Sequence, residues 1–216
     1  MMKAADLPTY YNICEILEHN IGPRGDKTAL LSEHGSLTFR EVSEQVNKVG
    51  NALIRSGVKF GECVAILCPD RPEWVSVFFA TAKIGGVALG LNTLLRIDEY
   101  DHILKDARVK ILVVHDSLLA LVEPVIKKHD TLVEVIIVTD SNSTNYTTFA
   151  EWIHRENSEL DPATTHREDF CSLHYSSGTT GMPKGVLHMH KDYPLIAQLS
   201  GCLLYTSPSP RDRLKS

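Results

Sequence analysis

Two spacings of apolar residues alternate along the chain. From Thr38 a capping-box pattern, with Glu41 three residues on, opens a stretch in which Val42, Val46, Val49 and Leu53 recur at helical spacing until Gly57. The run "CVAILC" from Cys63 then reads as a buried strand. Pro69 and Pro72 bracket a turn that opens an apolar-striped helix through Trp74, Phe78 and Ala82, and the Gly85–Gly86 pair ends it. The alternation continues with "VALGL" as a strand, a helix near 98–106, "KILVVH" as a strand, a helix near 118–128, and "VEVIIV" as a strand. After the polar loop "TDSNSTN" (139–145), "FAEWIHREN" reads as a short helix with a solvated charged face.

These strands are near-continuous apolar runs rather than alternating ones. A strand of that kind is buried on both faces, which predicts α/β layers: mostly parallel sheets covered by helices. No internal repeat is visible. From Cys202 the texture changes to "CLLYTSPSPRDRLKS", which is Ser/Pro-punctuated, ends basic and carries no helical or strand period. Residues 202–216 are therefore read as a disordered or non-native tail, and 1–201 as the structured part.

Composition narrows the possibilities further. A chain of 216 residues is long enough for one sizeable core, burying about 70% of its unfolded surface. With 43% hydrophobic residues and a formal net charge of −5, it has the make-up of a globular protein with no nucleic-acid footprint. No apolar run approaches the roughly 20 residues that span a bilayer, and the opening "MMKAADLPTYYNICEILEHN" is not a signal peptide. Five cysteines without framework spacing fit a reducing compartment. Cytoplasm is the expected location, since the carboxyl end is not a peroxisomal S-K-L either.

The stretch "HYSSGTTGMPKGVLHMH", from His174 to His190, holds the candidate chemistry. "DFCSLHY" before it and "GVLHMH" after it both read as strands, so the small residues between them form a loop joining two ordered elements. Glycines at 178, 181 and 185 permit positive φ and close backbone approach, letting successive N–H groups face one anion. Ser176, Ser177, Thr179 and Thr180 add hydroxyl donors, Pro183 stiffens the exit, and Lys184 brings a cation. Each part would help to grip a polyphosphate. The P-loop pattern G-x-x-x-x-G-K-[ST] does not fit, because Pro183 precedes Lys184 and Gly185 follows it.

"YSSGTTGMPKGV" closely resembles the signature of the adenylate-forming superfamily, which includes acyl-CoA and aryl-CoA ligases, luciferases and peptide-synthetase adenylation domains. The resemblance covers roughly Leu7 to Gly201. Within the superfamily, "LNTLLRIDEYDHILKDARVKILVV" and "GVLHMHKDY" look most like benzoate-CoA and related aryl-CoA ligases. The resemblance implies the amino-terminal part of the large domain of such an enzyme and two half-reactions. A carboxylate, here expected to be aromatic, would join the α-phosphate of Mg-ATP with release of pyrophosphate, and the thiol of CoA would then take the acyl group as a thioester.

On that resemblance, Ser176, Ser177, Gly178, Thr179, Thr180 and Gly181 would hold the β- and γ-phosphates. Pro183 and Gly185 would frame the loop, and Lys184 would act catalytically by offsetting charge on departing pyrophosphate. His188 would border the acyl pocket. ATP and CoA are the implied co-substrates. Mg²⁺ is implied too, with its ligands mostly in motifs that are not found in these 216 residues. The resemblance also implies a lysine on a mobile carboxy-terminal lid that completes adenylation; because it and those motifs are not found, the isolated chain is expected not to turn over substrate and to expose apolar sheet edges. The alternatives are adenylation of an amino acid for a carrier protein and a non-catalytic nucleotide-binding module.

Other candidates are read structurally. His188 and His190 share one strand face by spacing but have no third metal ligand, so a pair facing solvent or backbone is expected. Cys63 and Cys68 should be core thiols on opposite faces of one strand. Trp74, Phe78 and Phe79 read as core, and Arg71 with Glu73 as a solvated first turn.

Overall fold

The computed structural model describes residues 6–33, 35–128, 132, 134–138, 145–176 and 181–206, the last seven of these as backbone only. In chain order the elements are α1 (Glu15–Arg24), β1 (Thr28–Ser32), β2 (Gly35–Thr38), α2 (Phe39–Arg55), β3 (Cys63–Leu67), α3 (Pro72–Lys83), β4 (Val87–Gly90) and α4 (Ile97–Asp106). There follow β5 (Ile111–His115), α5 (Asp116–Ile126), β6 (Glu134–Val138), β7 (Thr147–Thr148), α6 (Phe149–Ile153), β8 (Phe170–Ser176), β9 (Lys184–Met189) and α7 (Asp192–Thr206).

Local chemistry explains the helix starts. Thr38 has extended backbone; its hydroxyl accepts from the Glu41 amide while the Glu41 carboxylate accepts from the Thr38 amide, closing the capping box. Hydrogen bonds from Thr38 hold the Glu41 carboxyl below the usual carboxylate range. Pro72 opens α3, where its missing N–H costs nothing. After α3 the chain reverses through Gly85 at φ +78°, a conformation that an L side chain resists.

Seven strands form one sheet in the order β7-β6-β5-β3-β4-β8-β9. Every neighbouring pair is parallel except β8–β9, which is antiparallel. The two cores lie on its two faces. Val64 and Ile66 of β3 point into a core built with α1, α2, α3 and α6, while Cys63, Ala65 and Leu67 point into a second core built with α4 and α5. The whole of β3 is buried, as its unbroken apolar run predicts. Cys63 and Cys68 fall in opposite cores, and burial raises both thiols to about 12.

Four features differ from the sequence reading. A separate β1–β2 hairpin occupies a stretch with no strong strand period, and α1 forms where no apolar stripe announced it. Arg71 is not solvated: it is 8% exposed and pairs with Glu73 at 3.2 Å beside the His115 ring. The helix α7 runs through Cys202 to Thr206, past the point where a tail was expected, because "CLLYT" holds no breaker before Pro208. The polar loop 139–145 lies outside the described residues except for its last position.

Buried polar links tie the first core together. Lys83 is 3% exposed, and its Nζ donates to Glu18 at 2.6 Å and Asn47 at 2.7 Å, joining α3 to α1 and α2. Trp152 is buried under α2, with its indole N–H donating to the Ser56 hydroxyl at 3.2 Å.

Candidate functional site

The strands on either side of the small-residue stretch, β8 and β9, form an antiparallel hairpin pair. β8 and β9 pair antiparallel with Ser176 opposite Lys184, Tyr175 opposite Gly185, His174 opposite Val186 and Ser172 opposite His188. Opposed residues share a face, and the face alternates along each strand. Ser172, His174, Ser176, Lys184, Val186 and His188 therefore form one stripe on one side of the hairpin, ending at the loop mouth. Ser177, Gly178, Thr179 and Thr180, expected to contact phosphate, lie outside the described residues.

Among the expected residues that are described, Ser176 and Lys184 face each other across the base of the loop, and Lys184 is exposed. Gly181 has open space where a Cβ would stand. Pro183 is buried. Gly185 does not serve as a positive-φ hinge, which corrects one part of the reading from sequence: it is a strand residue whose absent Cβ would lie 3.0 Å from Leu173 Cδ1 and 3.3 Å from Tyr175 Cζ. Close cross-strand packing, not turn geometry, calls for glycine there.

Helix α4 anchors both arms of the hairpin. His102 Nε2 lies 3.2 Å from the carbonyl oxygen of Pro183, and one turn later the Asp106 carboxylate accepts from the Tyr175 hydroxyl. Burial, reinforced by Asp106, pushes the Tyr175 phenol well above its ordinary value, so it stays a donor at neutral pH. Sequence reading missed this pair, because two polar residues four apart on a helix look like an ordinary solvated face.

On the striped face, β8 and β9 meet α3 and the start of α7 around a cavity of about 560 Å³. Its lining includes Trp74, Phe78, Phe79, His174, His188 and Tyr193. Trp74 stacks on Phe78 with centroids 5.3 Å apart, and the Phe78 ring meets Tyr193 at 5.6 Å. Trp74, Phe78 and Phe79 thus do more than fill core. The His174 and His188 rings stand edge to face at 5.2 Å, and the Tyr193 hydroxyl lies 2.6 Å from Ser172 Oγ and 3.4 Å from His174 Nε2. Burial, aided by His188, lowers the His174 pKa, so its ring is neutral at neutral pH.

The structure separates the two histidines that the spacing put together. His188 borders this cavity, whereas His190, just past the strand, is fully buried and its Nδ1 accepts from the Ile13 amide at 3.1 Å. His190 thereby pins the amino-terminal segment to the end of β9. Its Nε2 is buried without a partner among the described residues, and burial lowers its pKa to about 4.

Fold and hairpin together define an α/β protein of the adenylate-forming architecture, here its amino-terminal part. The chain belongs to the AMP-binding enzyme family, which it matches over residues 17–214. It is 30% identical over 199 residues to the benzoate–CoA ligase of Thauera aromatica, covering 91% of this chain and 37% of that protein. The 4-hydroxybenzoate/benzoate–CoA ligase of Rhodopseudomonas palustris is similar to the same extent, 30% over 196 residues.

Among solved structures, the anthranilate CoA ligase AuaEII in complex with anthranoyl-AMP superposes with a TM-score of 0.90 at 49% identity, covering 93% of this chain and 39% of that one. A benzoate CoA ligase from Burkholderia xenovorans LB400 shares the fold, with a TM-score of 0.79 at 23% identity. The chain thus spans about 37% of the length of the curated relatives it matches.

Proposed function

We propose that this chain is part of an ATP-dependent acid–CoA ligase acting on an aromatic carboxylic acid. In the first half-reaction a carboxylate oxygen attacks the α-phosphorus of ATP, the bond to the bridging oxygen breaks, and pyrophosphate leaves. In the second, the CoA sulfur attacks the acyl carbon, its proton is lost to solvent or base, and AMP leaves with the electron pair of the mixed anhydride.

The observation that carries this reading is the pairing of Ser176 with Lys184 across the hairpin base. It places a hydroxyl donor and an exposed cation at the mouth of the Gly/Ser/Thr loop. Ser176 to Gly181 grip the β- and γ-phosphates, and Lys184 offsets the charge that grows on pyrophosphate. Pro183, held by His102, and Gly185, packed against Tyr175, keep the two arms in register. His188 borders the acyl end. The part of the large domain that this chain supplies includes α7 in this reading, and so extends past residue 201 to Thr206.

Mg²⁺ accompanies ATP in this proposal, but these residues do not fit it alone. Among the described residues no three His, Cys, Asp or Glu side chains group together to hold a metal ion. No step is therefore assigned to it here. With about 37% of the relatives' length, the chain supplies one wall of the site and binds phosphate without completing thioester synthesis. Among the described residues no helix is long and apolar enough to cross a membrane.

The test is calorimetric titration of the 216-residue chain with pyrophosphate and ATP. Binding is expected, and it should weaken about tenfold or more in Lys184→Ala, which loses a charge-assisted contact. A folded chain that binds neither ligand would overturn the assignment of the loop. Thioester formation by the chain alone would overturn the claim that it is incomplete.

A further inference from the structure

We propose that β9 is an interface strand through which two copies of this chain pair edge to edge, antiparallel about a two-fold axis at Val186. The inference goes beyond the ligase reading and does not depend on it.

The edge comes first. β9 is the last strand in the sheet order, so its outer row of N–H and C=O groups meets no other strand among the described residues. The opposite edge is β7, which at two residues is too short to build on. β9 has six residues, an edge about 20 Å long. Proteins guard such an edge with a proline, a bulge or a charge in mid-strand. β9 has none of these: the extra residue of the hairpin, Cys171, sits on β8, and the one permanently charged side chain of β9 is Lys184 at its first position.

The strand is also uncovered on both faces of the sheet. Val186 lies on the striped face toward α3 and α7 and is 48% exposed, while Leu187 lies on the face toward α4 and is 45% exposed. A strand with one solvated face alternates apolar and polar residues. Two neighbouring apolar residues, bare on opposite faces of one edge, are covered together by a further strand laid alongside.

Pairing geometry then selects the occupant and the register. A two-fold axis normal to the sheet keeps each face continuous, and residues directly opposed across antiparallel strands share a face. With the axis at Val186, that residue meets Val186 of the second copy, Leu187 meets Gly185, which offers no side chain, and Lys184 meets His188. The His188 Nδ1 is 3.7 Å from the Asp192 carboxylate, so each lysine approaches an acidic neighbour, and the two lysines stand at opposite ends of the paired strands. Moving the axis to Leu187 would set Lys184 against His190, which is fully buried past the end of the strand. The edge is therefore complementary to itself in both shape and charge.

The experiment is sedimentation velocity on the 216-residue chain over a concentration series, without nucleotide. We expect a monomer–dimer equilibrium and no larger species, because the two-fold pair uses up the edge. Val186→Lys sets two like charges directly opposite each other and should weaken the dimer at least about tenfold. Val186→Thr, which keeps the β-branched shape, should retain most of the association. Leu31→Lys changes a more exposed leucine on β1, outside this sheet, and should leave association unchanged. Val186→Cys should give a disulfide-linked dimer under mild oxidation that the wild type does not, since the two new thiols face each other across the axis. That cross-link carries the test should Val186→Lys fail to fold.

A chain that stays monomeric throughout the series would overturn the proposal and leave the edge to some other polypeptide. Association that survives Val186→Lys in a folded chain, or oligomers that grow without limit, would overturn it too. So would dimers of Val186→Cys that yield no cross-link.

Discussion

His102 and Asp106 lie one helical turn apart on α4 and hold opposite arms of the β8–β9 hairpin, the first at the Pro183 carbonyl and the second at the Tyr175 hydroxyl. Ser176 ends β8 and Lys184 opens β9, so where these two residues stand at the hairpin base depends on what holds the two arms. Here the clamp is a helix from the opposite side of the α/β layer. Removing it should loosen the base of the hairpin while leaving Ser176 and Lys184 in the chain. In Asp106→Ala we expect pyrophosphate affinity to fall severalfold while Asp106→Asn, which keeps an acceptor for Tyr175, retains most of it. Unchanged affinity in the alanine variant, measured by calorimetry, would show that α4 does not position the loop.

Gly185 offers a steric test of the same hairpin. A Cβ there meets the Leu173 and Tyr175 side chains across the strands, so Gly185→Val must push β8 and β9 apart. The expected result is a lower thermal midpoint together with weakened pyrophosphate binding, the overpacking cost being about 1–3 kcal/mol. Stability equal to wild type would mean that Leu173 and Tyr175 simply swing aside.

The staple at His190 predicts a pH dependence. Its ring is neutral in the folded chain, with burial lowering its pKa from 6.5 to about 4 against an opposing pull from Asp169. Between those values the unfolded chain binds a proton that the folded chain does not, so stability falls as pH falls from about 6.5 to about 4, by up to about 1.4 kcal/mol per pH unit. His190→Asn keeps an acceptor for the Ile13 amide and removes the titration. Its thermal midpoint should change less over that window than the wild type's, and parallel curves would refute the assignment.

Lys83 tests the first core. Its ammonium group is buried between Glu18 and Asn47, joining three helices. Lys83→Ala leaves both acceptors facing a space that the cation filled, and should cost about 2 kcal/mol in denaturant unfolding, the scale of a hydrogen-bonded charge. A change below about 0.5 kcal/mol, typical of an exposed pair, would show that the contact is solvent-screened.

Much of the fold follows from the pattern of apolar residues. The fully buried strand from Cys63 to Leu67, the capped helix from Phe39 and the helix opened by Pro72 all stand where spacing, capping and turn residues put them. Local signals suffice for these because strand burial and helix caps depend on residues within a few positions of one another. The hairpin β1–β2 and helix α1 were not legible, since their stability comes from packing against α2 rather than from their own periodicity. Arg71 escaped for the same reason: a charged residue before a helix looks solvated until the His115 ring and Glu73 are folded over it.

Taken alone, the sequence determined the α/β class, the loop of small residues with Lys184 at its exit, and the family resemblance, because each is written in residues that are close along the chain. Only the tertiary structure decided which residues share the loop's face. The antiparallel pairing of β8 with β9 brings His174 and His188 onto the stripe that ends at Ser176 and Lys184, while His190, two residues past His188, is buried against Ile13. Chain spacing could place both histidines on one strand face, but the strand ends before His190, and packing of the amino-terminal segment then sets where that ring goes.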